Sequence, residues 1–314
     1  ERSPPKGKVA RSIRVRRAKE SEIMIYEIKN KYLTAKINSL GAELFSVKQN
    51  SNDCEFIWQG DEKYWKGHAP VLFPFCGRNL DSTYKYNGEK YSILFHGLAR
   101  YNEFSLFFQK ENAITFKLVS NEETLKIYPF RFEFYVAFSL NKNELKIEYL
   151  VKNTDTKELI FAYGFHPGFN VPIDGVGSFE DYYLELTKNT YPLRKLIDGL
   201  DANEDKNVEF KDKIFKLNHE AFNYDQFYRS ESDVVTLKSN LNKNHITVTY
   251  SGMTSLGLWK KDHSDAPYIC IEPWYGFPGS YNKYDSLETR KEMIHLESGK
   301  EFKNSINIEF FVEE

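Results

Sequence analysis

The chain has 314 residues, a formal net charge of −2, and 41% hydrophobic against 28% charged residues, an ordinary composition for a soluble globular protein. No uninterrupted apolar run approaches the roughly 18 residues of a membrane-spanning helix, so we expect no membrane association. The three cysteines, Cys54, Cys76 and Cys270, are widely spaced and form no CxxC pair, which favours a reducing, cytoplasmic setting and no metal site.

Basic residues are concentrated at the start of the chain. Residues 1–23 carry a charge balance of +5 and the remainder carries −7, and the segment lacks the apolar region of a secretory signal. A leader, a targeting segment and a basic arm for nucleic acid are the three alternatives. We expect a disordered or added leader, natural translation from or near Met24, and no nucleic-acid partner, because the body is acidic.

Alternation of apolar and polar residues dominates the rest of the chain. Short alternating runs separated by turn residues predict an all-β sandwich or barrel. The predicted strands are Tyr32–Ile37, Ala113–Val119, Phe132–Leu140, Glu144–Leu150, Tyr182–Leu186, Val234–Leu237, His245–Tyr250, Ser255–Trp259, Tyr268–Ile271 and Ile306–Val312. Residues 141–143 predict a hairpin turn between the third and the fourth of these.

Other secondary structure is sparse in the sequence. Residues 285–294 favour a short helix and residues 61–65 a turn, and the polar segment 198–213 is interpreted as a long surface loop. Strands and helices do not alternate and no Gly-rich phosphate loop is present, which disfavours a nucleotide-binding fold and a nucleotide cofactor. We expect one domain over residues 24–314.

Four short segments interrupt the alternation with Gly, Pro, His and aromatic residues, as loops that carry a site often do. They are His68–Arg78, Phe95–Arg100, Tyr163–Phe169 and Cys270–Gly276.

Each segment contains a residue suited to acid–base chemistry or to binding a polar ligand. His96 and His166 are either structural histidines or catalysts. Arg78 is either a salt-bridge partner or a donor to hydroxyls or a carboxylate. Glu272 follows an apolar strand and precedes Pro and Trp, where burial would raise its pKa toward that of a general base. Its alternative role is to pair with a structural arginine, Arg78 or Arg100.

Together these segments resemble the aldose 1-epimerase superfamily, and most closely its LacX-like branch. The resemblance is carried by Asn38–Leu44, Ile57–Trp58, Trp65, Ala69–Pro74, Gly77–Arg78, Tyr91, His96–Arg100, Gly164–Pro167, Phe169, Leu258–Trp259, Ile269–Trp274 and Gly276, in this order.

The resemblance implies a twisted β-supersandwich of the galactose mutarotase type and the interconversion of α and β anomers of a free aldose without a cofactor. It implies Glu272 as the base, His166 as the acid, and His96 as a second histidine near the ring oxygen. Arg78 and Asp225 would bind sugar hydroxyls. Trp274 is a further candidate for substrate binding, by stacking on the sugar.

Two departures leave the substrate open. Phe-Pro-Gly-Ser follows Gly276 where LacX-like proteins commonly carry an acid, and residues 198–213 have no clear counterpart. A hexose-6-phosphate 1-epimerase and a non-catalytic carbohydrate-binding protein on the same fold are the alternatives. The oligomeric state is not indicated by the sequence.

Overall fold

A computed structural model describes residues 24–313 of the chain. The predictions made for residues 1–23 lie outside this range. The strands of the first half are β1 (Ile25–Lys29), β2 (Leu33–Asn38), β3 (Glu43–Gln49), β4 (Val71–Leu72), β5 (Thr83–Tyr86), β6 (Glu89–Ser92), β7 (Ser105–Lys110), β8 (Ala113–Val119), β9 (Phe132–Asn141), β10 (Glu144–Asn153), β11 (Leu159–Phe161) and β12 (Tyr163–Phe165).

The strands of the second half are β13 (Gly168–Asn170), β14 (Tyr182–Glu185), β15 (Thr190–Ile197), β16 (Leu200–Glu209), β17 (Ile214–Lys216), β18 (Gln226–Arg229), β19 (Ser232–Ser239), β20 (His245–Ser251), β21 (Ser255–Trp259), β22 (Tyr268–Tyr275), β23 (Ile294–Leu296) and β24 (Glu301–Phe311).

Helical structure in the described part is limited to α1 (Glu122–Ile127) and short 3-10 turns. The 3-10 turns are Leu80–Ser82, Ala99–Tyr101, Ile173–Gly175, Phe179–Asp181, Lys211–Lys213 and Glu220–Asn223. Asn121 caps α1 by accepting from two backbone amides of the first turn. Among residues 24–313 no helix has the length and apolar character needed to cross a membrane.

Two large antiparallel sheets organise the fold. The nine-stranded sheet has the order β17-β14-β19-β20-β24-β10-β9-β8-β7, and the eight-stranded sheet has the order β16-β15-β18-β21-β22-β12-β4 with β13 beside β22. Between them lies an aromatic core: Phe73, which follows β4, stacks on Phe134 of β9 at a centroid distance of 4.4 Å. Tyr163 of β12 likewise contacts Tyr149 of β10 at 5.4 Å.

Alternation along β22 sends its side chains to opposite faces of the eight-stranded sheet. Ile269 and Ile271 join the main core, and Tyr275 packs on Tyr163 from the same side. The intervening residues Cys270, Glu272 and Trp274 therefore lie on the opposite face of this sheet, where Cys270 packs with Trp58 and Tyr268 and Trp274 packs on Phe227. This outer face carries the candidate site.

Each of the ten predicted strands coincides with an observed strand, and the hairpin turn at residues 141–143 is confirmed with Lys142 at φ 53°. The turn at residues 61–65 is also confirmed, because the backbone amides of Tyr64 and Trp65 both donate to the carbonyl of Asp61.

The helix predicted over residues 285–294 is wrong. The segment forms a turn and then enters β23. Two of its residues bond to distant parts of the chain, because the Asp285 carbonyl accepts from the Lys85 amide and the Arg290 guanidinium donates to Asn79. These tertiary contacts outweigh a helix propensity that is weak over ten residues.

The long surface loop predicted over residues 198–213 is also wrong. Most of it is β16, which pairs with β15 around a turn at residues 198–199. β16 is an edge strand with mostly exposed side chains, and charged residues protect such an edge from pairing with other chains. A charged edge strand and a loop have the same composition, so the pattern misled the prediction.

Candidate active site

Glu272 and His166 are cross-strand neighbours on the outer face of the eight-stranded sheet. β22 pairs with β12 through Gly164 and Trp274, and with β13 through Gly168 and Cys270. The register between these pairs sets His166, in the connection from β12 to β13, opposite Glu272. Directly opposed residues point to the same face and interact, so the fold brings the predicted base and acid together.

The two side chains are in contact and almost inaccessible. Nε2 of His166 lies 3.2 Å from Oε2 of Glu272, and the two residues are 8% and 3% exposed. Gly257 of β21 lies on the other side of Glu272, where an added Cβ would come within 3.3 Å of the Glu272 Cβ. The absence of a side chain there leaves room for the carboxylate.

Burial moves the two pKa values in opposite directions. It raises the pKa of the Glu272 carboxyl well above its usual 4.5. Burial, followed by the positive charge of Arg100, lowers the pKa of His166 from 6.5 to about 3. Both shifts have the same cause, since a water-poor environment disfavours either charge. Burial therefore favours the uncharged form of each group, the carboxylic acid of Glu272 and the neutral imidazole of His166.

His96 enters the site from the loop after β6, and a hydrogen bond from the backbone amide of Gly77 fixes its tautomer. The Gly77 amide donates to Nδ1 of His96 at 3.1 Å. An amide can only donate, so Nδ1 is unprotonated and Nε2 carries the hydrogen. Burial, His166 and then Arg100 and Arg78 lower the pKa of His96 well below 6.5, which keeps the ring neutral.

Three buried polar atoms around this cluster have no partner within the described residues: Nε2 of His96, Nδ1 of His166 and Nε1 of Trp274. The His96 ring lies 5.3 Å from that of His166 and 5.4 Å from that of Trp274. Buried polar groups are nearly always satisfied in native structures, so unsatisfied ones that converge indicate a ligand. The set can donate to, and accept from, a small polyhydroxyl molecule.

Trp274 is more enclosed than stacking on a sugar would require. Its ring packs against Phe227 at 5.0 Å, and an added Cβ on Gly164 would meet its Cδ1 at 2.8 Å. Its indole N–H has no hydrogen-bond partner within residues 24–313.

Sequence reasoning assigned no role to the aromatic wall beside His166. Trp65 lies 5.1 Å from the His166 ring at a shallow angle, and Trp259 lies 5.7 Å away edge-on. Both contact Tyr268 behind them. In the sequence, Trp65 and Trp259 served only to mark the family resemblance. A tryptophan in or beside a loop could have indicated that they line the site.

Cys270 adds a third donor to the buried pair. A donor atom of Cys270, one of His166 and one of Glu272 all lie within 4.8 Å of one another. Among the described residues this is the group of His, Cys, Asp and Glu side chains that could hold a metal ion. Burial raises the pKa of the Cys270 thiol well above its usual value, which favours the thiol over the thiolate that a metal needs.

Arg78 and Asp225, the two predicted hydroxyl-binding residues, are both exposed. Arg78 is exposed, and its guanidinium lies 5.4 Å from the ring of Phe95, which contacts His96 at 3.8 Å. Asp225 precedes β18, and partial burial followed by the charge of Asp198 raises its pKa. The structure therefore places Arg78 beside Phe95 and His96, whereas within the described residues it shows no contact of Asp225 with Glu272, His166 or His96.

Neither Arg78 nor Arg100 is the structural partner that was considered for Glu272. The arginines that form ion pairs among residues 24–313 are Arg194 and Arg229. The charges of Arg78 and Arg100 instead act on His96. The two guanidinium groups are available to a ligand.

Two surface depressions of about 490 and 570 Å³ lie elsewhere. The first is lined by residues such as Tyr183 and Phe311, and the second by residues such as Lys63 and Lys261. Neither contains Glu272, so we locate the site from its convergent unsatisfied polar atoms and not from the size of a depression.

The fold and the acid–histidine pair on its outer face define a class of protein, and comparison with known proteins gives the same class. The family model described as Aldose 1-epimerase matches residues 24–309. The chain belongs to the aldose 1-epimerase family.

Within that family the chain falls in the LacX-like branch. It is 32% identical to the chromosomal protein LacX of Lactococcus lactis subsp. lactis over 290 residues, which cover 87% of this chain and 95% of LacX.

Solved structures confirm the expected galactose mutarotase-type β-supersandwich. A galactose mutarotase related enzyme from Lactobacillus acidophilus is 34% identical, with a TM-score of 0.88 over 92% of this chain and 98% of that one. A galactose mutarotase-like protein from Lactobacillus casei ATCC 334 is 28% identical, with a TM-score of 0.86 over 92% of this chain and 100% of that one.

Proposed function

We propose that the chain is an aldose 1-epimerase that interconverts the α and β anomers of a free aldose, with Glu272 as the base and His166 as the acid. The observation that carries the proposal is the 3.2 Å contact between Nε2 of His166 and Oε2 of Glu272 inside a buried cluster. Anomer exchange needs one group that removes a proton and one that donates a proton, and this pair supplies both.

The reaction begins when the Glu272 carboxylate takes the proton from the C1 hydroxyl of the sugar. The C1 oxygen forms a carbonyl, the bond between C1 and the ring oxygen breaks, and His166 donates its proton to the ring oxygen. The product is the open-chain aldehyde. Rotation about the C1–C2 bond presents the other face of the carbonyl, and the reverse transfers close the ring as the other anomer.

The proton count of the pair stays at one throughout. Ring opening begins from carboxylate and imidazolium and ends at carboxylic acid and imidazole, and ring closure restores the first form. Burial disfavours both charges of the first form. Ring opening therefore removes both buried charges, which favours this step. No proton has to be exchanged with water during the cycle.

His96 supplies a neutral hydrogen-bond donor. Its Nε2–H has no partner in the described part of the chain and faces the space beside His166. A donor fixed before the substrate arrives stabilises negative charge that develops on an oxygen without having to reorganise. We assign His96 to the ring oxygen, and Arg78, Asp225 and the Trp274 N–H to the sugar hydroxyls.

A phosphorylated aldose is the second candidate substrate. Arg78 and Arg100 both act on His96 electrostatically and form no ion pair within residues 24–313. Two such guanidinium groups are suited to a phosphate. A binding protein without turnover is the third candidate, but it would need no buried acid beside a histidine.

Exchange between the two anomers, followed by NMR or polarimetry, separates these candidates. Glucose, galactose and glucose 6-phosphate would each be measured with and without the wild-type protein. Acceleration of a free aldose is the expected result. Acceleration of glucose 6-phosphate alone would favour the second candidate, and binding without any acceleration would favour the third.

A further inference from the structure

One loop of the chain starts and ends on the residue pair that follows His166-Pro167. The Trp58 amide donates to the carbonyl of Gly168 at 2.9 Å, and the Gly168 amide donates to the carbonyl of His68 at 2.8 Å. Residues 58–68 therefore leave from and return to the same point, which is the geometry of an Ω-loop. This segment, the Trp65 loop, is fastened next to the candidate acid.

The Trp65 loop lays an indole over the His166 ring. The ring centroids of Trp65 and His166 lie 5.1 Å apart, and the planes are inclined by 31°. Trp259 meets the same imidazole at 5.7 Å and 71°, and His96 meets it at 5.3 Å and 88°. Because Glu272 contacts Nε2 as well, the imidazole is enclosed by three rings and a carboxyl group. It cannot turn without displacing one of them.

Trp65 is held by contacts that do not involve His166. Its amide donates to the carbonyl of Asp61 at 2.9 Å, and its carbonyl accepts from Nε1 of Trp58 at 2.8 Å. Its ring stacks on Tyr268 at 5.8 Å, and Trp58 packs on the same tyrosine at 4.6 Å. The indole is therefore a fixed surface against which the imidazole rests.

Two glycines make room for this indole. An added Cβ on Gly67 would lie 2.5 Å from Cζ2 of Trp65, and one on Gly168 would lie 3.0 Å from Cζ3. Neither glycine has the positive φ that would by itself favour glycine. The close approach of Trp65 is thus what requires the missing side chains, both in its own loop and in the strand beside His166.

We propose that Trp65 is a positioning residue of the acid–base pair, which fixes the His166 ring with Nε2 toward Glu272 and stabilises the imidazolium from which ring opening begins. The inference rests on the proposed function, in which His166 donates a proton. An aromatic face attracts a cation that lies within about 6 Å of its centroid. An indole does this without bringing water to the ring, so it favours the charged histidine inside a buried site.

A tryptophan beside a sugar site could instead stack on the sugar. The Trp65 ring already contacts the rings of His166, Trp259 and Tyr268. The two roles also differ kinetically. Loss of stacking on the sugar raises KM and leaves kcat unchanged, whereas loss of a correctly placed acid lowers kcat.

The test compares the wild type with Trp65→Leu, which removes the aromatic face and keeps an apolar side chain, and with Trp65→Phe, which keeps a smaller aromatic face. Trp65→Met replaces Trp65→Leu if that variant does not fold, as judged by urea unfolding. Tyr64→Leu is the matched control, because Tyr64 lies in the same loop and its ring contacts Trp58 and not His166. The kcat and KM of anomer exchange would be measured by NMR with the free aldose that the wild type accepts best.

We expect Trp65→Leu to lower kcat by about tenfold with KM within about twofold of the wild type. Trp65→Phe should recover most of that loss, and Tyr64→Leu should match the wild type in both constants. The ¹⁵N signal of the His166 Nε2, identified by its absence in His166→Gln, gives a second measurement. It should be alike in the wild type and Trp65→Phe and displaced in Trp65→Leu, where the ring is no longer held against Glu272.

A kcat of Trp65→Leu within about twofold of the wild type, a raised KM with unchanged kcat, equal losses in Trp65→Leu and Trp65→Phe, or an Nε2 signal that Trp65→Leu leaves in place would each overturn the inference. Failure of the proposed function would look different. No sugar would then exchange anomers faster than in buffer in the wild type or any variant, while the Nε2 signal would still separate Trp65→Leu from the wild type.

Discussion

The backbone amide of Gly77 donates to Nδ1 of His96 at 3.1 Å, so this histidine presents a neutral Nε2–H to the cleft. His96 has a positive φ of 65°, which the loop between β6 and Ala99–Tyr101 imposes. The loop thus sets the position of the ring, and the Gly77 amide sets its tautomer. The contribution of the His96 side chain to the reaction can therefore be separated from the effect of its positive φ on stability.

His96→Asn should lower the anomer-exchange rate by about 10²-fold, because it removes a donor aimed at developing charge. Asn tolerates positive φ, so its free energy of unfolding should fall by less than that of His96→Ala. Rates by NMR and urea unfolding measure the two effects. His295→Asn, on the surface beside Glu158, is the control. An exchange rate for His96→Asn within twofold of the wild type would remove His96 from the mechanism.

Stability should depend on pH through the His166–Glu272 pair. Below pH 6.5 an unfolded His166 binds a proton that the folded residue, with a pKa of about 3, refuses. His166 therefore destabilises the fold increasingly as the pH falls from 6.5 toward 3. Glu272 has the opposite sign, because its raised pKa makes the folded state retain a proton that the unfolded state loses above 4.5. Above pH 4.5 the two contributions therefore oppose each other.

His166→Gln should remove only the destabilisation that His166 causes below pH 6.5. The free energy of unfolding of the variant should improve relative to the wild type by up to about 1.4 kcal/mol for each pH unit below 6.5. Urea unfolding at pH 7.5, 6.5, 5.5 and 4.5 measures the difference. A difference that stays constant over this range would show that the pKa of His166 is the same in the folded and unfolded states.

Gly97 follows His96 in the loop after β6 and should not tolerate a side chain. Its φ is 83°, and an added Cβ would lie 2.3 Å from the carbonyl oxygen of Phe73. Gly97→Ala should lower the free energy of unfolding by about 3 kcal/mol or more, from strain and from the displaced backbone. Gly88→Ala, at φ 81° with no atom within 4 Å, should cost only about 1 kcal/mol. Equal losses in the two variants would contradict the close approach.

The fold was largely predictable because its central strands alternate strongly, as Ala113–Val119 and Phe132–Asn141 show. Edge strand β16 was not, since exposure on both faces removes the alternation. The helix expected at residues 285–294 is wrong for another reason, because Asp285 and Arg290 bond to Lys85 and Asn79, which only the tertiary fold brings near.

The candidate site was predictable as a set of residues but not as an arrangement. Glu272, His96 and His166 stood out because each lies in a segment that interrupts the alternation. The contact between Glu272 and His166 depends on the register of β22 with β12 and β13, and the sequence segments alone do not give that register.

The most direct test of the central claim is anomer exchange of the best free aldose by Glu272→Gln, which keeps the shape of the side chain and removes the base. The control is Glu55→Gln, a partly buried carboxylate that bonds to Ser46 and the Val47 amide, apart from the candidate site. We predict a loss of about 10²–10⁴-fold for Glu272→Gln with sugar binding retained, and a rate near that of the wild type for Glu55→Gln. A Glu272→Gln variant that exchanges anomers at the wild-type rate would contradict the account.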